Sequence, residues 1–310
     1  MRVVVLGAGA VGAYYGGLLA RAGHEVTCFA RGANGAALRE RGLEVRTPDG
    51  AFTVPVTTTD RPEALPAADV AILAVKSYSL SEVAPVVRHC AEQGTPILPL
   101  LNGVETAERL EQLGVPPGGL LGGLTTISAV RVAPGVVERR SPFQIVVAGE
   151  LDGRRGARVE RIVTALREAG VDARASDTIQ VDLWQKFTFL AALAAVCGLA
   201  RSAVGPVRDH PVGRRVLRAA VTEIAAVGRA RGVALPDGEV ARVTGLIDGL
   251  PRGLKPSFLV DVESGGPNEL DILSAAISRF GGQAGIPTPV HDLATLVLGR
   301  AAQTGGRTEG

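Results

Sequence analysis

The sequence predicts a two-part α/β chain, a doubly wound parallel sheet over residues 1–176 followed by an all-helical region over 177–310. Three observations carry this. Short Val/Ile/Leu runs alternate with amphipathic stretches through the first half, the pattern of strands buried on both faces under helices. The first of these runs turns directly into a glycine-rich stretch that opens a helix. From about residue 177 the texture changes, and helical stretches follow one another with no convincing alternating strand between them.

In chain order, residues 3–6, 25–30, 70–75 and 96–100 read as strands, with helical segments at 13–22 and 80–91 between them. Residues 120–130, 135–139 and 144–148 read as further strands, the first two joined by a Pro134-Gly135 turn. Residues 154–169 form an amphipathic helix that Gly170 is suited to end. In the second part, 182–200, 211–231, 239–250, 258–264 and 269–281 are helix-like. The apolar run 187–200 is too short to cross a bilayer and reads as a core helix. The polar, Gly-rich end, 303–310, is expected to fray.

Composition narrows the function. Of 310 residues, 46% are hydrophobic and 21% charged, a globular balance, and the net charge of +2 leaves no basic stripe for nucleic acid. Cys28, Cys90 and Cys197 lack CxxC spacing, which argues against a disulfide framework or a zinc site and fits a reducing cytoplasm. The opening MRVVVLGAGAVG lacks the apolar length and cleavage site of a signal peptide. A cytoplasmic protein with neither membrane nor nucleic-acid partner is expected, and no metal cluster is apparent. Among 33 basic residues only Lys76, Lys186 and Lys255 are lysine. Either an ammonium is needed there, or composition bias left three by chance.

Gly7-Ala8-Gly9-Ala10-Val11-Gly12 follows the first strand and opens a helix, the context in which GxGxxG binds a dinucleotide. Gly7 makes the tight turn, Gly9 lets backbone approach a pyrophosphate, and Gly12 allows close helix–sheet packing. The helix from near Ala10 then aims its N–H groups at the phosphates. This predicts a Rossmann-type domain. At the end of the second strand stands Arg31, where an NAD site usually has an acid. A forked cation accommodates a 2′-phosphate, so the expected cofactor is NADP(H), although Arg31 also reads as one exposed arginine among many. Lys76 and Asn102-Gly103 lie beyond the carboxyl ends of two strands, where ligands of open α/β sheets bind.

In the helical part, Trp184-Gln185-Lys186 opens the long apolar helix. Burying the ammonium of Lys186 would lower its pKa toward a useful range, whereas a lysine at a helix start also snorkels readily to the surface. Ser257 precedes a short helix and Asn268-Glu269-Leu270-Asp271 opens another, and capping alone accounts for Ser257 and Asn268. His24, His89, His210 and His291 have no evident partners and are expected in loops or on polar faces.

Taken together and in order, the glycine loop, Arg31, Lys76, Asn102-Gly103, Trp184-Gln185-Lys186, Ser257 with Asn268-Glu269-Leu270-Asp271, and Gly285-Ile286-Pro287-Thr288-Pro289 closely resemble the ketopantoate reductase family. The resemblance implies a Rossmann domain plus a helical one and NADPH-dependent reduction of a small 2-oxo acid. It implies Lys186 as general acid, Glu269 holding Lys186 or cofactor groups, Ser257 binding substrate oxygens, and Asn102 between nicotinamide and substrate. Ala129, on a looser alignment, would line the nicotinamide pocket. The family pattern places asparagines four and eight residues after the lysine and again further on, where this chain has Leu190, Ala194 and Val204. Lys186, Leu190 and Ala194 share one helix face, so Leu190 and Ala194 are expected to line the substrate site without hydrogen-bonding it. Ketopantoate is the substrate the resemblance names, and a less polar 2-oxo acid or ketone is the alternative. A non-catalytic NADP(H) sensor is a third reading, disfavoured by Lys186 standing in its motif. A homodimer is compatible by analogy.

Overall fold

A computed structural model describes residues 1–304 of the chain. It divides into two compact units, Met1–Asp182 and Leu183–Gly310.

The N-terminal unit opens with β1 (Arg2–Leu6), α1 (Ala10–Arg21), β2 (Glu25–Phe29), α2 (Gly32–Arg41), β3 (Leu43–Thr47), β4 (Gly50–Val54) and β5 (Thr57–Thr59). It continues through β6 (Val70–Leu73), α3 (Leu80–Glu92), β7 (Ile97–Pro99), α4 (Thr106–Gln112) and β8 (Leu121–Thr126). The unit closes with β9 (Ala129–Ala133), β10 (Val136–Arg139), β11 (Ile145–Glu150), α5 (Ala157–Glu168) and β12 (Asp172–Ala175).

Five strands form a sheet in the order β5-β2-β1-β6-β7, parallel throughout. Val3–Leu6 and the whole of β6 are buried, so the continuous β-branched runs do fill both faces of a covered sheet. The chain leaves β1 toward β2 on one side and later crosses to β6 on the other. That reversal makes a crevice at the carboxyl ends of β1 and β6, the place where such sheets bind ligands.

Two further sheets, β4-β3-β10-β9 and β12-β11-β8, complete this unit. They correct one expectation. Residues 120–130 are not one strand: β8 ends at Thr126, and Ala129 starts β9 in a different sheet. The break is fixed by Ser141, whose hydroxyl accepts the Ser128 N–H at 2.9 Å and so holds the chain where it changes sheets.

The helical unit takes up the chain within α6 (Ile179–Ala200) and continues through α7 (Val204–Asp209), α8 (Pro211–Ala230), α9 (Glu239–Asp248), α10 (Ser257–Glu263), α11 (Ser274–Ala284) and α12 (Pro289–Thr304). The apolar run belongs to a helix that begins earlier than its sequence boundary, at Ile179, and this helix is long and apolar enough to cross a membrane by length and composition. Here it is a core helix. Trp184, Phe187 and residues 191–197 are buried, and a Cβ on Gly198 would meet Leu298 at 3.0 Å and Phe258 at 3.1 Å.

The expected helix over 269–281 is likewise two elements, a 3₁₀ turn at Leu270–Ile272 and then α11. Leu273, with φ −106° and ψ −102°, is non-helical and separates them. The motif at 285–289 is structural. Gly285 ends α11 in the left-handed conformation with φ +68°, and Thr288 Oγ1 donates to Asp292 Oδ1 at 2.9 Å across the first turn of α12. The expected fraying of the chain end lies, from residue 305 on, outside the described residues.

Candidate active site

Two clusters of functional side chains stand out, one in each unit. In the N-terminal unit, β1 runs into Gly7, whose φ of +98° favours glycine. A Cβ there would lie 2.7 Å from Val75 Cγ1 and 3.0 Å from the Ala74 carbonyl, so the loop presses against the chain leaving β6. At Gly12 a Cβ would lie 2.2 Å from the Gly7 carbonyl oxygen, which is why loop and helix can close on each other only with glycine there.

Gly9 is different. A Cβ built on it would meet nothing within 4 Å. Packing gives no reason for this glycine, whereas a phosphate resting on the loop does. Gly9 is the N-cap of the twelve-residue α1, and no side chain caps the first N–H groups of that helix. Those N–H groups and the positive end of the helix dipole suit an anion, so Gly7, Ala8, Gly9, Ala10, Val11 and Gly12 fit the pyrophosphate of a dinucleotide.

Arg31 caps α2 just past β2. Its guanidinium lies 5.2 Å from the centre of the Phe29 ring, and its Nη1 donates to Glu82 Oε1 on α3 at 2.7 Å. Lys76 is exposed, three residues beyond the end of β6, and Asn102 is half-buried, three beyond the end of β7. Both flank the crevice side of the sheet. Gly103 has φ +94°, so its backbone conformation alone calls for glycine. Ala129 is half-buried at the start of β9, outside the five-stranded sheet.

Sequence reasoning missed Asn34. Its Nδ2 donates to the Ala8 carbonyl at 2.9 Å, and its Oδ1 accepts the Gly135 N–H at 2.9 Å. One half-buried side chain thus ties the glycine loop to the β9–β10 turn. Its partners are 26 and 101 residues away, so no local spacing announces the role.

In the helical unit, Trp184 packs edge-on against Phe187, ring centres 5.7 Å apart, and lies over Gly228 of α8, where a Cβ would sit 2.8 Å from Trp184 Cε3. This anchors the turn that carries Lys186. Lys186 keeps only partial contact with solvent, and its burial lowers its pKa from 10.5 to about 8, partly offset by the negative charge of Glu269. Glu269 is itself buried, beside the 3₁₀ turn that Asn268 caps through its Oδ1, which accepts the Leu270 N–H at 3.1 Å.

A second buried acid braces the same turn. Glu239 accepts from Gln185 Nε2 at 3.3 Å and from Arg242, and Arg242 Nη2 donates to the Gln185 carbonyl at 3.1 Å. The residue preceding Lys186 is therefore fixed by both its side chain and its backbone.

The remaining expectations are met unevenly. Leu190 is half-buried, while Ala194 and Val204 are fully buried, at 1% and 0% exposure. Ser257 is exposed and is the first helical residue of α10, whose cap position is Pro256, so the capping account of Ser257 does not hold. His291 corrects the expectation of a polar face. It is fully buried, with Nδ1 at 3.2 Å from Ser274 Oγ and Nε2 at 3.3 Å from the Ala220 carbonyl, and burial lowers its pKa to about 4. It is a neutral core histidine joining α8, α11 and α12. The third lysine, Lys255, pairs at the surface with Glu263 at 2.8 Å.

Comparison with known proteins agrees with this layout. The family model for ketopantoate reductase PanE/ApbA matches residues 3–153, and the model for its C-terminal part matches 178–301. A 2-dehydropantoate 2-reductase of Halobacterium salinarum is 32% identical over 311 residues, covering 99% of this chain and all of the relative. The crystal structure of a PanE/ApbA family ketopantoate reductase from Ralstonia eutropha superposes with a TM-score of 0.89 at 28% identity, over 99% of this chain and 100% of that one. A D-mandelate dehydrogenase solved with NADH and anilino(oxo)acetate shares the fold, with a TM-score of 0.87 at 22% identity over 99% of this chain and 100% of that one.

Proposed function

We propose, from the premise that the chain belongs to the ketopantoate reductase family and is an oxidoreductase acting on CH–OH groups, that it reduces ketopantoate to pantoate with NADPH and uses Lys186 as the general acid. The observation that carries this is the half-buried Lys186 near the buried carboxylate of Glu269, an environment that lowers the lysine pKa to about 8.

A lysine at that value is still mostly protonated at neutral pH and gives up its proton more readily than a surface lysine, as a general acid requires. When bound, the reduced nicotinamide supplies a hydride to the carbonyl carbon of the substrate. Lys186 stabilises the charge that develops on the carbonyl oxygen and then donates its proton there. Glu269 keeps the ammonium charged against the cost of burial, and the Glu239–Arg242–Gln185 brace fixes the turn from which it acts. In the N-terminal unit the glycine loop takes the pyrophosphate, Arg31 the 2′-phosphate, and Lys76 and Asn102 polar cofactor or substrate groups. Ser257 is assigned to substrate oxygens. The three buried thiols suit a reducing cytoplasm, where we place the protein.

A second reading is favoured by Leu190, Ala194 and Val204, which offer no hydrogen bond to a substrate hydroxyl. On that reading the substrate is a less polar 2-oxo acid reduced by the same residues, and the same fold serves the D-mandelate dehydrogenase. NADPH oxidation by the purified chain, measured with ketopantoate and with phenylglyoxylate, separates the two. Turnover concentrated on ketopantoate supports the first reading. Turnover concentrated on the aromatic acid supports the second, and turnover of neither overturns ketopantoate as the substrate and leaves the second reading without support.

A further inference from the structure

We propose that Glu82 sets the cofactor preference of this chain, competing with a nucleotide 2′-phosphate for the guanidinium of Arg31 and accepting a hydrogen bond from the 2′-hydroxyl when that phosphate is absent. The proposal rests on the reading of Arg31 as the 2′-phosphate cation.

Arg31 and Glu82 come from different elements, the cap of α2 and the first turn of α3, 51 residues apart. An acid in the first turn of α3 is already favoured by that helix's dipole, so the helix does not need the distant arginine. The pair nevertheless closes at 2.7 Å while 54% of the Arg31 side chain and 69% of the Glu82 side chain stay exposed. A ligand arriving at the end of β2 therefore meets both charges. The guanidinium presents a planar fork of five N–H donors, of which Nη1 is engaged by Glu82.

A phosphate on that fork has the Glu82 carboxylate as its neighbour. Two anions sharing one cation repel, but at this exposure water and salt screen them, so the carboxylate weakens phosphate binding without forbidding it. A nucleotide lacking the phosphate presents a hydroxyl instead, and a carboxylate is what such a hydroxyl requires. Sites restricted to NAD place that acid at the end of β2. In this chain Arg31 occupies that position, and the acid is supplied across from it, by α3.

The test is binding of 2′,5′-ADP and of 5′-AMP to the full chain by titration calorimetry, for the wild type, Glu82→Gln and Arg31→Gln. In Glu82→Gln the preference for 2′,5′-ADP over AMP should rise roughly fivefold, through tighter 2′,5′-ADP and weaker AMP binding, and the gain should shrink at high salt. Glu82→Ala, which removes the acceptor altogether, should move the preference the same way. Thermal melting verifies that each variant is folded. An unchanged or lowered preference in both Glu82 variants overturns the proposal, because Glu82 then only orients Arg31. If Arg31→Gln leaves the wild-type preference intact, the reading of Arg31 itself has failed, an outcome separate from failure at Glu82 alone.

Discussion

In the N-terminal unit Gly7, Gly9 and Gly12 shape a loop out of backbone, and what matters there is mainly the side chains they lack. In the helical unit two side chains far apart in the chain, the half-buried Lys186 and the buried Glu269, are brought within electrostatic reach of each other, and their chemistry depends on what surrounds them. The first cluster leaves the uncapped N–H groups of α1 open to water, which costs the fold little. The second holds an ammonium partly away from water, which opposes folding. Substitutions at the glycine loop and at Lys186 should therefore move stability in opposite directions.

The largest effect is expected at Lys186. Lys186→Met should lower kcat for reduction about a thousandfold, the scale of a lost general acid, while raising stability. The sign follows from the two pKa values. Between about 8 in the folded chain and 10.5 unfolded, the unfolded chain binds more protons, so wild-type stability climbs as pH rises through that window. At neutral pH the charge therefore destabilises the fold, by roughly 2 kcal/mol after allowance for the solvent contact Lys186 keeps. Chemical denaturation at pH 7 should show Lys186→Met to be the more stable protein. Equal or lower stability would mean that the ammonium is not desolvated.

The glycine loop should show the reverse. Gly9→Ala adds a Cβ into open space, so the melting temperature should hold while NADPH binding weakens at least about tenfold. Gly12→Ala places a Cβ 2.2 Å from the Gly7 carbonyl oxygen and should destabilise the fold by about 1–3 kcal/mol. If both variants lost stability alike, Gly9 would be a packing glycine and the phosphate reading would fail.

The smallest effect is expected at Asn34. Asn34→Ala removes the bonds to Ala8 and Gly135 and should raise the Kd for NADPH severalfold, with kcat at saturating cofactor little changed. A fall in kcat with unchanged Kd would place Asn34 outside the positioning of the loop.

The two clusters were also legible to different degrees. Gly7, Gly9 and Gly12 could be read from the sequence because they fall at a fixed spacing within six residues, directly after a strand and at the start of a helix. The burial of Lys186 was not decidable from its position near a helix start, where snorkelling was equally available, and the link from the Glu239–Arg242 pair to Gln185 joins residues 54 and 57 apart, which no local spacing announces. His291 was misread for the same reason, since its partners Ser274 and Ala220 come from other helices. The resemblance to a family of known chemistry supplied Lys186 and Glu269 in a way their spacing did not. The change of sheet at Ile127-Ser128, between β8 and β9, and the break at Leu273 carry no signal in the hydrophobic period, because both are set by contacts with distant residues.

The central claim, that Lys186 donates the proton, is tested most directly by the pH dependence of kcat for NADPH-driven ketopantoate reduction in the wild type and in Glu269→Gln. The acid must be protonated, so the wild-type rate should be level below about pH 8 and fall tenfold per pH unit above it. Glu269 raises the pKa of Lys186, so Glu269→Gln should move that falling limb to lower pH. A limb that stays in place in Glu269→Gln, or a profile with no limb near 8, would contradict Lys186 as the acid.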